Sequence, residues 1–311
     1  MKGCALATSD PQLAITALDA LERVGVSFAV LHREGATAHG LATSDVDIVA
    51  DRPAVEALRA VTPSLVSEGL APIMVWPYDL GGTASIFFSV EDASAGAQID
   101  ILYDPKARGQ YGLRSESALA VARQGERWHR LSSPHETAYL VRKRAAKGER
   151  SELVRMATEV ADVQEVLRAA GEIFTDESVE VVRKWSVDPN TTPLAAPRPR
   201  RLGRVLKRIR FPVGFAIVME GEVEEGVEEI SNRFSKFLPL VTLQPCPKPG
   251  PGRLSWYATD VGPVRWRAGL VIAVGKSIGS FLPFDLHASA SSIRPSAVVD
   301  AMSARVTARL D

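Results

Sequence analysis

Apolar residues recur with helical period from Pro11 to Val24, and this spacing predicts a first helix. Ser9 or Asp10 can cap it, with Pro11 in its first turn. The next apolar run, SFAVL from Ser27 to Leu31, predicts a short strand. A glycine-containing loop, REGATAHGLATS, follows it. In DVDIVA, Asp45 to Ala50, polar and apolar positions alternate, as on a strand with one polar face. Arg52 to Val61 reads as a helix. ASIFFSV (Ala84 to Val90) and AQIDILY (Ala97 to Tyr103) read as two strands joined through a turn at Glu91 to Gly96, a hairpin with a longer loop.

From Pro134 the period becomes helical throughout. PHETAYLVRKRAAKGE, SELVRMATEVADVQEVLRAAGEIF and DESVEVVRKW predict a helical subdomain. Val187 to Pro199 contains Asp188-Pro189, two threonines and further prolines, which mark a linker. A basic run follows, RPRRLGRVLKRIR. Beyond it, Val213 to Met219 (VGFAIVM) and Gly269 to Val274 (GLVIAV) read as buried strands. A helix and the Pro/Gly-rich PCPKPGPG lie between them, a pattern of a small α/β unit.

The bulk numbers narrow the class only a little. A chain of 311 residues with 46% hydrophobic residues suits two domains, each with its own core. Lys plus Arg and Asp plus Glu are both 37, so net charge selects no acidic or basic partner. Two cysteines, Cys4 and Cys246, fit neither a metal spacing nor a disulfide framework and point to a reducing cytoplasm. No apolar run approaches the roughly 20 residues of a membrane helix, and no signal peptide or membrane partner is expected.

The carboxylates change the picture. Asp45 and Asp47 are two apart on one strand, so they share a face while Val46 and Ile48 point into the core. That face is expected to meet solvent. Adjacent carboxylates repel unless a cation sits between them, and a hard divalent ion such as Mg²⁺ uses carboxylates together with substrate phosphates. Asp100, flanked by Ile99 and Ile101, is costly in a strand unless paired, solvated or metal-bound. On a neighbouring strand it completes a three-carboxylate cluster able to hold Mg²⁺ or Mn²⁺, clamp a triphosphate and activate a hydroxyl.

The stretch FAVLHREGATAHGLATSDVDIVA resembles the nucleotidyltransferase superfamily of DNA polymerase beta-like fold, whose pattern is a strand, a Gly-Ser turn and then D-x-D. QIDILYDPKARGQYG resembles its third-carboxylate strand. PHETAYLVRKRAAKGE and ADVQEVLRAAGEIF are similar to helices of a bacterial subgroup, in which this domain is fused to a thymidylate-kinase-like P-loop domain. The resemblance implies that Asp45 and Asp47 bind metal and that Asp100 completes the site and orients or deprotonates the acceptor. Ser44 precedes the pair, as it often does in the family. The chain departs from the pattern at His32 and Arg33, where neither Gly nor Ser occurs. Gly35 comes slightly late, and Arg33 can compensate by charge where backbone NH groups normally hold the terminal phosphates.

A P-loop needs G-x-x-x-x-G-K-[ST] after a strand. After VGFAIVM, Gly221 and Gly226 keep the glycine spacing, but Val227 and Glu228 stand where Lys and Ser/Thr belong. Six glutamates from Glu220 to Glu229 would repel a triphosphate. The segment is either a decayed phosphate loop or an acidic surface loop, and neither transfers phosphoryl groups. Lys143 and Lys147 lie four apart on a helix and share a face, either to meet a phosphate or as a solvated pair. The basic run from Arg198 to Arg210 carries Leu202, Val205, Leu206 and Ile209 at helical spacing, which favours an amphipathic packing helix over nucleic acid binding. The five histidines make no metal-ligand spacing.

These readings give an α+β nucleotidyltransferase-like domain over residues 1–132 and a helical extension over 133–186. A linker and basic helix over 187–212 lead to a smaller α/β P-loop-kinase-like domain over 213–311. The expected function is metal-dependent transfer of a nucleoside monophosphate from a nucleoside triphosphate to a hydroxyl or phosphate of a small-molecule acceptor. The alternative is a non-catalytic nucleotide-binding or scaffold protein. The nucleotide-binding residues are Arg33, Gly35, Ser44, Lys143 and Lys147.

Overall fold

The computed structural model describes residues 8–32, 36–37, 40–41, 45–91, 93, 95–193, 214–220, 225–235, 238, 240–246, 270–274, 286–288 and 293–310. After the two-residue β1 (Thr8–Ser9), helix α1 (Pro11–Arg23) starts where Asp10 accepts a hydrogen bond from the Gln12 amide at 2.8 Å. Pro11 occupies the first turn, where its missing NH costs nothing. Then come β2 (Phe28–Val30), the short β3 (Ala36–Thr37) and β4 (Gly40–Leu41), and β5 (Asp45–Ala50). Helix α2 (Ala54–Ser67) leads into β6 (Leu70–Pro77), β7 (Gly82–Ser89) and β8 (Ala95–Leu102). A short helix α3 (Ser115–Val121) precedes β9 (Arg123–Gln124) and β10 (His129–Arg130).

These strands form one mixed sheet in the order β6-β7-β8-β5-β2-β10-β9, with β1 beside β8. The expected hairpin of β7 and β8 is present and antiparallel, whereas β5 pairs β8 in parallel. Strand alternation sorts the side chains. Val46, Ile48, Ile99 and Ile101 join a core with α1 and α2 on one face. On the other face, Ala29, Leu31, Val49 and Leu102 lie beneath helices α4 (Ser133–Lys147), α5 (Arg150–Glu159), α6 (Val163–Ile173) and α7 (Asp176–Val187). These four helices occupy the segment expected to be helical. Gly148, at a φ of 77°, ends α4 in the left-handed conformation that glycine adopts without strain.

The C-terminal strands are β11 (Gly214–Glu220), β12 (Leu240–Cys246), β13 (Val271–Val274) and β14 (Leu286–Ala288), and α8 (Glu225–Ser235) and α9 (Pro295–Leu310) accompany them. The strands form a parallel sheet in the order β12-β11-β13-β14. Its Phe215 and Ile217, with Phe234 of α8, pack on Met74, Ile86 and Phe88 of the first sheet. This is the same sheet face that carries the four-helix segment, at its opposite end. The architecture is thus mixed α/β with a central mixed sheet. Strands β6 and β12 and helix α9 were not expected from the sequence. The basic run 198–210 and residues 221–224 lie outside the described residues.

Candidate active site

The central sheet face has two apolar ends and a polar middle. Between the helical core and the C-terminal core run Asp47 of β5 and Gln98 and Asp100 of β8. Asp47 and Asp100 are direct partners across the parallel β5–β8 pair, and position 45 is in register with Gln98. Parallel partners point to the same face, so Asp47 and Asp100 stand side by side on neighbouring strands about 4.8 Å apart. The row continues across the sheet, where Asp100 is opposite Ala84 of β7 and Ala84 opposite Trp76 of β6.

Asp47 does not meet solvent as expected, for it is only 2% exposed. Burial is affordable because three groups, two from α4 and one from the segment just after β2, converge on one of its oxygens, Oδ2. Tyr139 Oη donates to it at 2.7 Å, Lys143 Nζ forms an ion pair with it, and His32 Nε2 lies 3.2 Å away. Tyr139 and Lys143 are four apart on α4, so one helical face presents both. Lys143 Nζ is also 3.4 Å from His32 Nε2. The His32 ring stacks on Tyr139 with centroids 6.2 Å apart, and Tyr139 meets Tyr111 edge-on at 6.0 Å. His32 Nδ1 is buried without a hydrogen-bond partner among the described residues.

Electrostatics follow from this packing. Burial pushes the Asp47 carboxyl up, but the His32 hydrogen bond and the Lys143 charge outweigh it and hold the group well below the usual carboxylate range. Burial, then the charges of Asp47 and Asp100, push the Tyr111 phenol up, and Tyr139 is raised in the same way by burial and Asp47. Asp100 is half-buried and accepts a hydrogen bond from Gln98 Nε2 at 2.8 Å.

Of the expected site residues, Asp47, Asp100 and Lys143 come together, with the position of Asp45 on the same strand. Lys147 is exposed in the last turn of α4, away from its neighbour's buried position. Arg33, Gly35 and Ser44 lie outside the described residues. Among the described residues, no group of three or more His, Cys, Asp or Glu side chains is placed to hold a metal. His32 and Tyr139 belong to the cluster although the sequence reading assigned them no role. For Tyr139 the available signal was its spacing of four from Lys143. For His32 it was the position at the end of the strand beside DVDIVA.

No protein-family model matches the chain, and none of the curated proteins does. Among the described residues, no helix is long and apolar enough to cross a membrane.

Proposed function

We propose that the polar middle of this sheet is a metal-dependent nucleotidyl-transfer site on a nucleotidyltransferase-like domain. The observation that carries the reading is the side-by-side placement of Asp47 and Asp100, with Lys143 beside them, in a strip between two apolar cores. The donor chemistry fits a hard cation. Carboxylate oxygens are its preferred ligands, and the contacts to Asp47 among the described residues gather on Oδ2. Asp45, Asp47 and Asp100 would hold Mg²⁺ or Mn²⁺, which when bound neutralises carboxylates and triphosphate together.

The chain's own groups have distinct tasks. Lys143 supplies a fixed positive charge for a phosphate oxygen. Asp100, half-buried, accepts the proton of a small-molecule hydroxyl as that oxygen bonds to the α-phosphorus. The bond from the α-phosphorus to the bridging oxygen breaks, and pyrophosphate leaves. Tyr139 and His32 hold Asp47 in place. The C-terminal unit takes no part in phosphoryl transfer, and the burial of Val227 at 0% exposure supports this. At the position where a phosphate loop needs lysine, Val227 packs into the core.

One observation favours a second reading. Asp47 already has a cationic partner and is almost sealed from water, as in a non-catalytic domain where an ion pair replaces a metal. Calorimetric titration with ATP, CTP, GTP and UTP separates the two. Binding that requires Mg²⁺ or Mn²⁺, vanishes in EDTA and falls in Asp45→Asn and Asp100→Asn supports transfer. Binding indifferent to metal, or no binding, supports the scaffold. Asp100→Asn is the cleaner variant, since Asp47→Asn leaves Lys143 buried opposite a neutral group.

A further inference from the structure

We propose that Ser132, His135 and Glu172 form a second reactive centre, in which Ser132 is a nucleophile that accepts acyl groups from small activated esters. The centre is separate from the carboxylate strip and does not depend on the nucleotidyl-transfer reading. Ser132 occupies the turn between β10 and α4, and its side chain caps no amide of the helix. Its Oγ lies instead 2.7 Å from His135 Nδ1 in the first turn of α4. His135 Nε2 lies 2.8 Å from Glu172 Oε2 of α6, and Arg168 holds the other oxygen of that carboxylate at 3.0 Å.

The partners fix the direction of these hydrogen bonds. A carboxylate only accepts, so Nε2 of the neutral ring carries the proton and donates to Glu172. Nδ1 is then the acceptor, and the Ser132 hydroxyl donates to it. Nucleophile, base and orienting acid stand in the order that serine acyl transfer requires, with the two ring nitrogens exchanged. His135 is buried with both nitrogens engaged, which holds the base in place. Ser132 is half-buried, Ser133 beside it is exposed, and the Glu172 side chain is 36% exposed, so the centre lies at an edge open to solvent. The Ser133 amide is the first of α4 and has no carbonyl partner within the helix. It directly follows the nucleophile, where a donor to the developing oxyanion is needed. In the step, Oγ bonds to the carbonyl carbon as its proton passes to Nδ1. The bond from that carbon to the leaving alcohol oxygen breaks, and this oxygen takes the proton from Nδ1. Water then attacks the acyl-serine by the same route, releasing the acid and restoring Ser132.

The test is reaction of the full chain with a fluorophosphonate probe and with p-nitrophenyl acetate. The probe should form an adduct that mass spectrometry maps to Ser132, and the ester should give a burst of about one p-nitrophenol per chain. Ser132→Ala should lose both the adduct and the burst. His135→Gln should slow the burst by at least about a hundredfold. A variant of a buried histidine can fold poorly, so Glu172→Gln, at the more exposed end, is the second variant. It should slow the burst at least about tenfold while the ester concentration at half-saturation stays unchanged. A role confined to tying α4 to α6 would not produce that split. No adduct on the folded wild type, or an adduct only at another serine, would overturn the proposal and leave these hydrogen bonds as a tie between two helices. A burst that survives Ser132→Ala, or one unchanged in Glu172→Gln, would overturn it as well.

Discussion

Three groups share one oxygen of Asp47, and two of them come from α4. This makes the helix–strand junction depend on a charge balance inside a dry site. Removing the Tyr139 hydroxyl with Tyr139→Phe leaves the carboxylate its ion pair, so the expected cost is about 2 kcal/mol, seen as a lower urea midpoint at unchanged slope. Lys143→Met strands a buried carboxylate and should cost more, about 3–5 kcal/mol. The double variant Asp47→Asn with Lys143→Met should recover much of that loss. An additive double variant would show that the two groups do not act as a pair. The sequence exposed the carboxylates well, because alternation in DVDIVA fixes which side chains share a face. It did not expose their burial. Whether a strand's polar face meets water depends on which distant segment covers it, and here that segment lies some 90 residues further on, at Tyr139 and Lys143. The same gap explains Lys143 and Lys147, one buried and one exposed despite their spacing.

Elements with clean periodicity were legible nearly to their ends. Helix α1 and strand β5 fall where the pattern puts them, because caps and alternation act locally. Strand β6 was not legible. LAPIMVWP is apolar on both faces and contains two prolines, which argue against a strand interior. Its position explains the tolerance: β6 is the edge strand, Pro77 ends it, and the register shifts between Pro72 and Met74. The connection from β8 to α3 shows how elements lock the helical segment to the sheet. Gly112 adopts a φ of 62°, and a Cβ there would lie 2.5 Å from Ser178 Oγ and 2.6 Å from Thr175 Oγ1 at the start of α7. Gly112→Ala should therefore destabilise by more than the roughly 1 kcal/mol of a strained backbone alone. The loss should appear as faster hydrogen exchange in the first turn of α7. Unchanged exchange there would show that the contact is not holding the helix.

Helix α9 connects the two sheets into one body. Val298, Val299 and Met302 belong to the core of the C-terminal sheet, whereas Val306 and Leu310 belong to the core beneath α1 and α2. Arg59 of α2 donates to the Leu310 carbonyl at 2.5 Å, fixing the helix end. The second core itself mixes β6 and β7 residues with Phe215 and Phe234, so the C-terminal sheet and the β6–β7 end of the first sheet bury one another. Two domains with separate cores would unfold in two steps, each responding to its own mutations. Here a single cooperative transition is expected. Met302→Ala removes buried volume from the C-terminal core and should cost about 2–5 kcal/mol. Its effect should reach the distant sheet, lowering by similar amounts the exchange protection of β5 and of β11. Val306→Ala, made from the other end of the same helix, should do likewise. Calorimetry of both variants should give one peak displaced to lower temperature. A peak that splits, with β5 keeping its protection while β11 loses it, would sink the one-body reading.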